Sequence, residues 1–297
     1  MLEETNWQSG TVEQIYRAWR DVFRQKNFTT ADLDARLILC DVLGLDSSGF
    51  IMQSASRPND VQLRSIELQM SRREKHEPVA YITGTQEFWG LPFSVNLNTL
   101  IPRPDSEILV QTILDWIDSD KGRQFPWKFI DVGTGSGCLI AALLSELPRA
   151  SGIGIDLSIR ALLVAGNNLD QLSLISRSSL VQGDFLSAFS GEVDFILANP
   201  PYIERDVHKK LEDGVRLYEP DLALIGGEDG LTAYREIVQQ VHDQTIGTSR
   251  IFFEIGYDQG IRVKDLLAQF SWADVRVELD LAGNDRVVTG RMVKADS

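Results

Sequence analysis

The chain has 297 residues, 43% of them hydrophobic and 24% charged, and its net charge at pH 7 is −14. This composition is typical of folded globular proteins, and the length suggests about two domains. The charge is uneven, with a balance of −2 over residues 1–80 and −12 over residues 81–297. Because a nucleic-acid footprint needs clustered Lys and Arg, this acidity argues against nucleic acid as a direct partner.

Neither membrane insertion nor metal binding is indicated by the sequence. The first thirty residues lack the apolar core of a signal peptide, and no segment reaches the ~18 apolar residues of a membrane span. Cys40 and Cys138 lie in separate, helix-like segments, which makes a disulfide framework or a cysteine-based metal site unexpected. His76, His208 and His242 lack metal-ligand spacing. We therefore expect a cytoplasmic protein with no metal and no membrane contact.

The amino-terminal quarter of the chain has a helical pattern. Apolar residues recur at three- and four-residue spacing over 11–26, 30–44 and 58–75, which predicts a small helical bundle. Pro58 is suited to the start of the third helix. Residues 78–104 instead contain short extended runs separated by glycine and proline, which predicts a linker with a β-hairpin.

The remainder of the chain alternates strands with helices after a helix at about 105–118. Strands are predicted at residues 128–132, 151–156, 178–182, 193–198 and 250–255. This alternation predicts an α/β fold with a mostly parallel, doubly wound sheet. The expected domains are a helical domain over 1–77, the hairpin linker over 78–104 and the α/β domain over 105–297.

A glycine-rich turn follows the first of these strands, in "FIDVGTGSGCLIAALL". Gly133, Gly135 and Gly137 precede an apolar helix, so the backbone can turn tightly and approach a ligand at the positive end of that helix. The dinucleotide fingerprint places its third glycine three residues after the second, whereas here it comes one residue early. This spacing disfavours NAD.

Carboxylates end the next two strands. Asp156 ends "GIGID", where it could accept both hydroxyls of a ribose, and "VQGDFLSAF" places Asp184 and Phe185 where they could bind an adenine amino group and ring face. Taken singly, each carboxylate could be a helix cap and the phenylalanine a core residue. Their order at successive strand ends favours an adenosine-containing ligand.

The stretch "FILANPPY" ends a further strand with an amide, two prolines and a tyrosine. Pro200 and Pro201 cannot donate to a sheet ladder, so Asn199 lies at the carboxyl end of its strand, where open α/β sheets bind ligands. By itself this stretch could also be an asparagine turn followed by prolines.

Four features of the chain resemble, in the same order, the motifs of S-adenosylmethionine-dependent methyltransferases with the Rossmann-like fold. They are residues 133–137, Asp156, Asp184 with Phe185, and residues 199–202. Asn-Pro-Pro-Tyr marks families that methylate a planar nitrogen conjugated to a carbonyl or a ring. The stretches "PVAYITGTQEFWG", "IPRPDSE", "YEPDLALIGGEDGL" and "FEIG" resemble the release factor glutamine methyltransferase family, also called HemK or PrmC.

The resemblance implies N5-methylation of the glutamine in the Gly-Gly-Gln motif of class 1 peptide chain release factors, with S-adenosylmethionine as cofactor. We expect a monomer, and we expect its amino-terminal helices to dock the protein substrate. The implied catalytic residues are Asn199, Pro200, Pro201 and Tyr202. The implied cofactor-binding residues are Asp131, Gly133, Thr134, Gly135, Ser136, Gly137, Asp156, Asp184, Phe185 and Asn199.

An amide nitrogen is a poor nucleophile because its lone pair is delocalised into the carbonyl. If the Asn199 side-chain oxygen and the Pro200 carbonyl each accept one N–H of the substrate, the nitrogen is fixed and its lone pair is aimed at the methyl group. Tyr202 would then pack against the flat amide. The residue that we assign to the substrate entrance is Arg103, together with Glu219, although a structural ion pair is equally compatible with the sequence.

Two alternatives stay open at the level of the sequence. A nucleic-acid adenine or guanine amino methyltransferase would share the Asn-Pro-Pro-Tyr chemistry but would normally carry a basic face. A non-enzymatic module could hold the cofactor without using it, although such a module has no need of an intact tetrapeptide.

Overall fold

The computed structural model describes residues 10–243, 246–248, 250–270 and 272–293. These residues form two compact units. The helical unit comprises residues 10–84 together with Asp213–Tyr218, and the sheet unit comprises residues 85–212 and the described residues from 219 onward. The predicted domain boundaries at residues 77 and 104 stay predictions. No helix among the described residues is long and apolar enough to span a membrane.

The secondary structure follows the predicted order. The α-helices of the described residues are α1 Val12–Gln25, α2 Ala31–Leu43, α3 Ser47–Met52, α4 Asp60–Glu74, α5 Val79–Thr83, α6 Glu107–Ser119, α7 Cys138–Glu146, α8 Ile159–Gln171, α9 Arg205–His208, α10 Asp213–Tyr218, α11 Asp221–Leu224, α12 Thr232–Asp243 and α13 Gly260–Gln269. The strands are β1 Thr85–Phe88, β2 Leu91–Ser94, β3 Lys128–Val132, β4 Ser151–Asp156, β5 Ser178–Gln182, β6 Phe195–Ala198, β7 Arg250–Glu254, β8 Trp272–Leu279 and β9 Asp285–Met292.

Helix α1 shows how sequence dictates structure in the helical unit. Thr11 caps its first turn by accepting from the Gln14 backbone N–H, while the Gln14 side chain accepts in return from the Thr11 N–H. The apolar residues Ile15, Trp19 and Phe23 recur along one face and are buried in the core of this unit. The predicted helices at 11–26 and 30–44 therefore agree with α1 and α2.

The third predicted helix begins two residues later than expected. Pro58 lies outside α4, and Asn59 is the N-cap, because its side-chain oxygen accepts from the backbone N–H groups of Val61 and Gln62. A side-chain cap satisfies two orphan donors of the first turn, which proline cannot do. The helix α10 also belongs to this unit, where the Tyr218 hydroxyl donates to the Lys75 carbonyl over 2.9 Å.

The sheet unit is built on seven strands in the order β5-β4-β3-β6-β7-β9-β8. The first five of these are parallel, with Asp131 beside Leu197 on β3 and β6, and Ala198 beside Phe253 on β6 and β7. The chain leaves β3 toward β4 on one side and returns at β6 on the other. Open α/β sheets bind ligands at such a reversal, outside the carboxyl ends of the strands.

Helices cover both faces of this sheet. One face packs Phe129 and Phe195 against α6 and α7, and the other packs Ile130 and Ile196 against α12 and α13. Because successive strand residues point to opposite faces, the apolar residues of β3 and β6 contribute to two cores at once.

The sheet ends in an antiparallel pair that the sequence analysis missed. β9 pairs with β7, and β8 forms the outer edge, joined to β9 by a turn in which Gly283 has φ +84°. The predicted hairpin is present as β1 and β2. It is fixed to the sheet unit by the buried side chain of Asn168, which exchanges hydrogen bonds with the Ser94 backbone and donates to the Ser136 carbonyl.

Candidate active site

The glycine turn between β3 and α7 adopts a backbone that side chains disfavour. Gly133, Gly135 and Gly137 have φ values of +74°, +56° and +78°. A Cβ on Gly137 would also crowd Ala165, at 3.1 Å from its Cβ. A Cβ on Gly133 would meet nothing within 4 Å and one on Gly135 only the Gly133 carbonyl at 3.9 Å, and both residues line a cleft. The turn therefore leaves room for a ligand against bare backbone.

Asp131 supports this turn from beneath. Its side chain is fully buried and accepts from the Thr134 hydroxyl over 2.6 Å. Burial raises the pKa of Asp131 to about 7, although the Thr134 hydrogen bond opposes that shift. Asp131 does not line the cleft, and its side chain accepts from a residue of the turn instead.

Asp156, at the end of β4, is placed on the cleft wall with both of its oxygens oriented. One oxygen accepts from the Gly135 backbone N–H over 2.9 Å, and the other from the Ser158 N–H over 2.8 Å. Burial raises the pKa of this carboxyl, and the two backbone hydrogen bonds oppose the shift. Each oxygen has a second lone pair, so the carboxylate can accept further hydrogen bonds from a ligand in the cleft.

Asp184 and Phe185 follow β5 and line the same cleft. Phe185 has φ +49°, an uncommon conformation for an aromatic residue. Asp184 is exposed, and its backbone N–H donates to the Ser187 hydroxyl over 3.1 Å. Phe185 is half-buried against the core on one side.

The cleft has a volume of about 290 Å³. The predicted site residues that line it are Arg103, Gly133, Thr134, Gly135, Ser136, Asp156, Asp184, Phe185, Asn199 and Pro201. Those that lie outside the lining are Asp131, Gly137, Pro200, Tyr202 and Glu219. The structure thus gathers residues from four strand ends and from the segment before α6 around one space.

Asn199 is the first residue beyond β6, and its amide faces the segment before α6. Its Nδ2 donates to the Ser106 hydroxyl over 3.1 Å. The next residue, Pro200, is buried, and no described residue donates a hydrogen bond to its carbonyl. The Asn199 side chain is therefore held at the cleft by a partner that sequence reasoning did not identify.

Tyr202 does not line the cleft, and its side chain packs against the core that includes residues of α12 and α13. Burial raises the pKa of its hydroxyl to about 12. The Gln259 side chain donates to the Tyr202 carbonyl over 3.1 Å and to the Gly230 carbonyl over 3.2 Å. A Cβ on Gly226 would overlap the Pro201 carbonyl, so the glycines of "GGEDG" permit this loop to pack directly on the Asn-Pro-Pro-Tyr backbone.

Arg103 and Glu219 form an ion pair at the cleft wall. The carboxylate is buried and also accepts from the Ile101 backbone N–H over 3.3 Å. Since Arg103 lines the cleft as well, the two sequence-level interpretations of this arginine, as ion pair and as entrance residue, are geometrically compatible.

Glu254 is a site residue to which the sequence analysis assigned no chemistry. It ends β7 at 1% exposure, and burial raises its pKa to about 7. The nearby polar side chains of Ser106 and Asn199, and the charge of Arg286, oppose that shift in pKa, whereas the charge of Asp105 adds to it. The signal in the sequence was a carboxylate directly after the apolar run of a strand.

The described residues contain no group of three His, Cys, Asp or Glu side chains that could hold a metal ion. The polar groups that line the cleft are hydrogen-bond donors and acceptors.

Comparison with known proteins decides the family. Residues 14–84 match the model of the PrmC N-terminal domain, and residues 105–215 match that of the methyltransferase small domain. A release factor glutamine methyltransferase from Bradyrhizobium diazoefficiens is 39% identical over 282 residues, which cover 95% of each chain. One from Vibrio cholerae is 37% identical over 95% of this chain and 97% of its own. The chain belongs to the release factor glutamine methyltransferase family. The resemblance inferred from the motifs is confirmed.

Solved structures agree on the fold. The catalytic domain of METTL16, in complex with the MAT2A 3′UTR hairpin 6, superposes with a TM-score of 0.54 at 16% identity and covers 80% of this chain and 83% of that one. The N-terminal domain of human METTL16 in complex with SAH gives a TM-score of 0.52 at 16% identity, over 86% and 91%. At this identity the likeness shows the fold alone, and it confirms the predicted Rossmann-like fold.

Proposed function

We propose that this chain transfers a methyl group from S-adenosylmethionine to the side-chain nitrogen of the glutamine in the Gly-Gly-Gln motif of class 1 peptide chain release factors. The observation that carries the proposal is the position of Asn199, which lines the same cleft as the glycine turn and Asp156. Membership of the release factor glutamine methyltransferase family supports the substrate class.

The cleft residues fit an adenosine-containing sulfonium. Gly133 and Gly135 leave space against the backbone, Asp156 offers oriented acceptors for ribose hydroxyls, and Phe185 offers an aromatic surface for the base. S-adenosylmethionine supplies an electrophilic methyl group on sulfur when it is bound. Asp131 contributes by holding Thr134, and with it the shape of the turn.

Asn199 would act on the substrate amide through its side-chain oxygen. Together with the Pro200 carbonyl it would accept the two N–H bonds of the substrate's NH₂ group, which fixes the nitrogen and directs its lone pair into the cleft. These acceptors become stronger partners as positive charge develops on the nitrogen, so they favour the transition state over the ground state. The proton left after methylation is acidic, so no strong general base is required.

A protein substrate suits the charge of the sheet unit better than a polyanion. Residues 81–297 carry a balance of −12, which would repel nucleic acid over the distances at which association begins. Glycines on either side of a target glutamine would also allow a flexible loop to enter a narrow cleft.

A comparison of substrates tests the proposal. We expect methyl transfer from labelled S-adenosylmethionine to a folded class 1 release factor with a much higher kcat/KM than to a Gly-Gly-Gln peptide, because contacts remote from the cleft orient the loop. DNA and RNA should accept no label above background. Efficient labelling of nucleic acid, with none of the release factor, would instead assign the chain to the amino methyltransferases of nucleic acids.

A further inference from the structure

We propose that Glu254 is a positioning residue whose carboxylate fixes the side-chain amide of Asn199 so that the amide oxygen, and not the NH₂ group, faces the cleft. This inference rests on the proposed function, because it concerns the acceptor that would hold the substrate amide. Glu254 itself does not line the cleft and acts through Asn199.

Strand register brings the two side chains together. Ala198 on β6 is the register partner of Phe253 on β7, and the two strands are parallel. Asn199 and Glu254 are the next residue of each strand, so they stand side by side at the carboxyl edge of the sheet. Ser106, at the turn before α6, lies against both of them.

The chemistry of the three groups permits one arrangement. A carboxylate only accepts hydrogen bonds, so the group that Asn199 presents to Glu254 must be its NH₂. Nδ2 donates to the Ser106 hydroxyl over 3.1 Å, and the Asn199 side chain favours the ionised form of the neighbouring Glu254, as an NH₂ group turned toward the carboxylate would. With the NH₂ group on the protein side, the amide oxygen is directed away from the carboxylate.

Without such a partner, an asparagine amide has two nearly isosteric orientations. The flipped orientation would present two donors to a substrate NH₂ group that also only donates, and the two would repel. Fixing the orientation in the protein means that it need not be selected when substrate binds, which is a form of preorganisation. A neighbour that only accepts hydrogen bonds therefore favours the amide orientation that the proposed chemistry uses.

The free-energy cost of burying the negative charge of Glu254 is partly offset by the neighbouring guanidinium of Arg286. Arg286 lies at 9% exposure and pairs with Asp105 over 3.1 Å and with Asp280 over 3.2 Å, and its charge also stabilises ionised Glu254. The further groups that interact with this carboxyl are Tyr202, Tyr234 and Cys138, and burial raises the pKa of each of these, so they are neutral near pH 7. One oxygen of Glu254, Oε2, has no hydrogen-bond partner among the described residues.

The test is a double-mutant cycle between Glu254 and Asn199. Glu254→Gln keeps the shape but can donate as well as accept, so it no longer enforces one orientation. We expect kcat on the release factor to fall by about 10–100-fold, which is typical when an orienting partner is lost, with KM and cofactor affinity changed by less than about threefold. In the Asn199→Ala background the same substitution should have no further effect.

Two controls separate positioning from stability. Asp194→Asn removes a carboxylate at the opposite end of β6, where Asp194 accepts from the Lys128 backbone N–H over 2.8 Å, and it should leave kcat per folded molecule unchanged. In wild-type protein the Asn199 side-chain NH₂ resonances, assigned by their loss in Asn199→Ala, should show slowed solvent exchange. Glu254→Gln should change their shifts and speed that exchange, whether or not a methyl acceptor is present.

Unchanged kcat in Glu254→Gln, or a loss that is fully additive with Asn199→Ala, would overturn the proposal. So would side-chain NH₂ resonances of Asn199 that do not respond to Glu254→Gln. If Glu254→Gln does not fold, Ser106→Ala takes its place, with the same expected signatures and a smaller loss of kcat. The resonance measurement needs no substrate, so it stands even if release factors prove not to be methylated.

Discussion

Asn199 and Glu254 are neighbours at the carboxyl edge of the sheet, each one residue beyond the register partners Ala198 and Phe253. Burial raises the pKa of Glu254 to about 7. Because Glu254 lies beside Asn199, its protonation state affects the proposed substrate site. A protonated Glu254 could donate to the Asn199 oxygen and allow the amide to turn.

The pH dependence of turnover follows from this pair. Ionised Glu254 is the form that enforces the orientation, so kcat should be low at pH 5.5, rise as the pH passes about 7 and level off above it. The profile of Glu254→Gln should be low and lack this rise. Measurement of kcat under saturating substrate from pH 5.5 to 8.5 checks the sign, and an identical rise in the variant would assign the titration to another group.

Asp156 is predicted to contribute to cofactor affinity. Asp156→Ala removes a partly buried acceptor whose loss we expect to weaken binding by about 1.5–3 kcal/mol, or roughly 10–100-fold. Calorimetric titration with S-adenosylmethionine and with its demethylated product measures this directly. The exposed Asp184 provides a matched comparison, since Asp184→Ala removes a solvated carboxylate and should weaken binding less. Equal affinities in wild type and Asp156→Ala would contradict the assignment.

Asn199 is predicted to act on turnover and not on cofactor binding. Asn199→Ala should lower kcat by about a hundredfold or more, because an acceptor used chiefly in the transition state affects kcat. Cofactor affinity should stay within a few fold. Asn199→Asp retains an acceptor oxygen and should keep partial activity, although its charge would stand beside Glu254. Steady-state kinetics on the release factor decide this, and full activity in Asn199→Ala would show that another residue fixes the nitrogen.

We expect Asp131 to make the stability of the protein depend on pH. Its folded pKa is about 7, above the value of about 3.9 expected in an unfolded chain, so between these values the folded state holds a proton that the unfolded state releases. The contribution of Asp131 to the free energy of unfolding is therefore complete below about pH 4, and it is lost as the pH rises to about 7.

Asp131→Asn can still accept from Thr134 but has no proton to lose. From pH 5 to 7 the free energy of unfolding of this variant should fall less steeply than that of the wild type. The difference between the two slopes should be about 1 kcal/mol per pH unit. Urea unfolding at pH 5, 6 and 7 gives both slopes. Parallel slopes would mean that Asp131 is already ionised at pH 5 in the folded protein.

Much of the ligand-binding edge could be predicted from the sequence because its residues follow strands directly. The ends of β3, β4, β5 and β6 were visible as apolar runs that stop at glycine, aspartate or asparagine, and parallel strands bring such ends to one edge. The glycines of the turn were informative for the same reason, since their positive φ values follow from the need to reverse the chain in a few residues.

Contacts between distant segments could not be predicted in this way. Neither the bond from Asn199 to Ser106 nor the contact with Glu254 has a local signal, because both depend on strand order and register. The antiparallel pair β8 and β9 was missed although Gly283 marks its turn, since the alternation there is interrupted by irregular pairing. The cap at Asn59 was missed because a neighbouring proline was the more conspicuous signal.

The central claim is that the methyl group is placed on a glutamine side-chain nitrogen held by Asn199. The most direct measurement is mass-spectrometric mapping of a class 1 release factor after incubation with S-adenosylmethionine and either wild-type enzyme or Asn199→Ala. The account predicts one added methyl on the glutamine of Gly-Gly-Gln with wild-type enzyme, and a rate at least about a hundredfold lower with the variant. A methyl group on any other residue, or equal rates of glutamine methylation by the two enzymes, would contradict it.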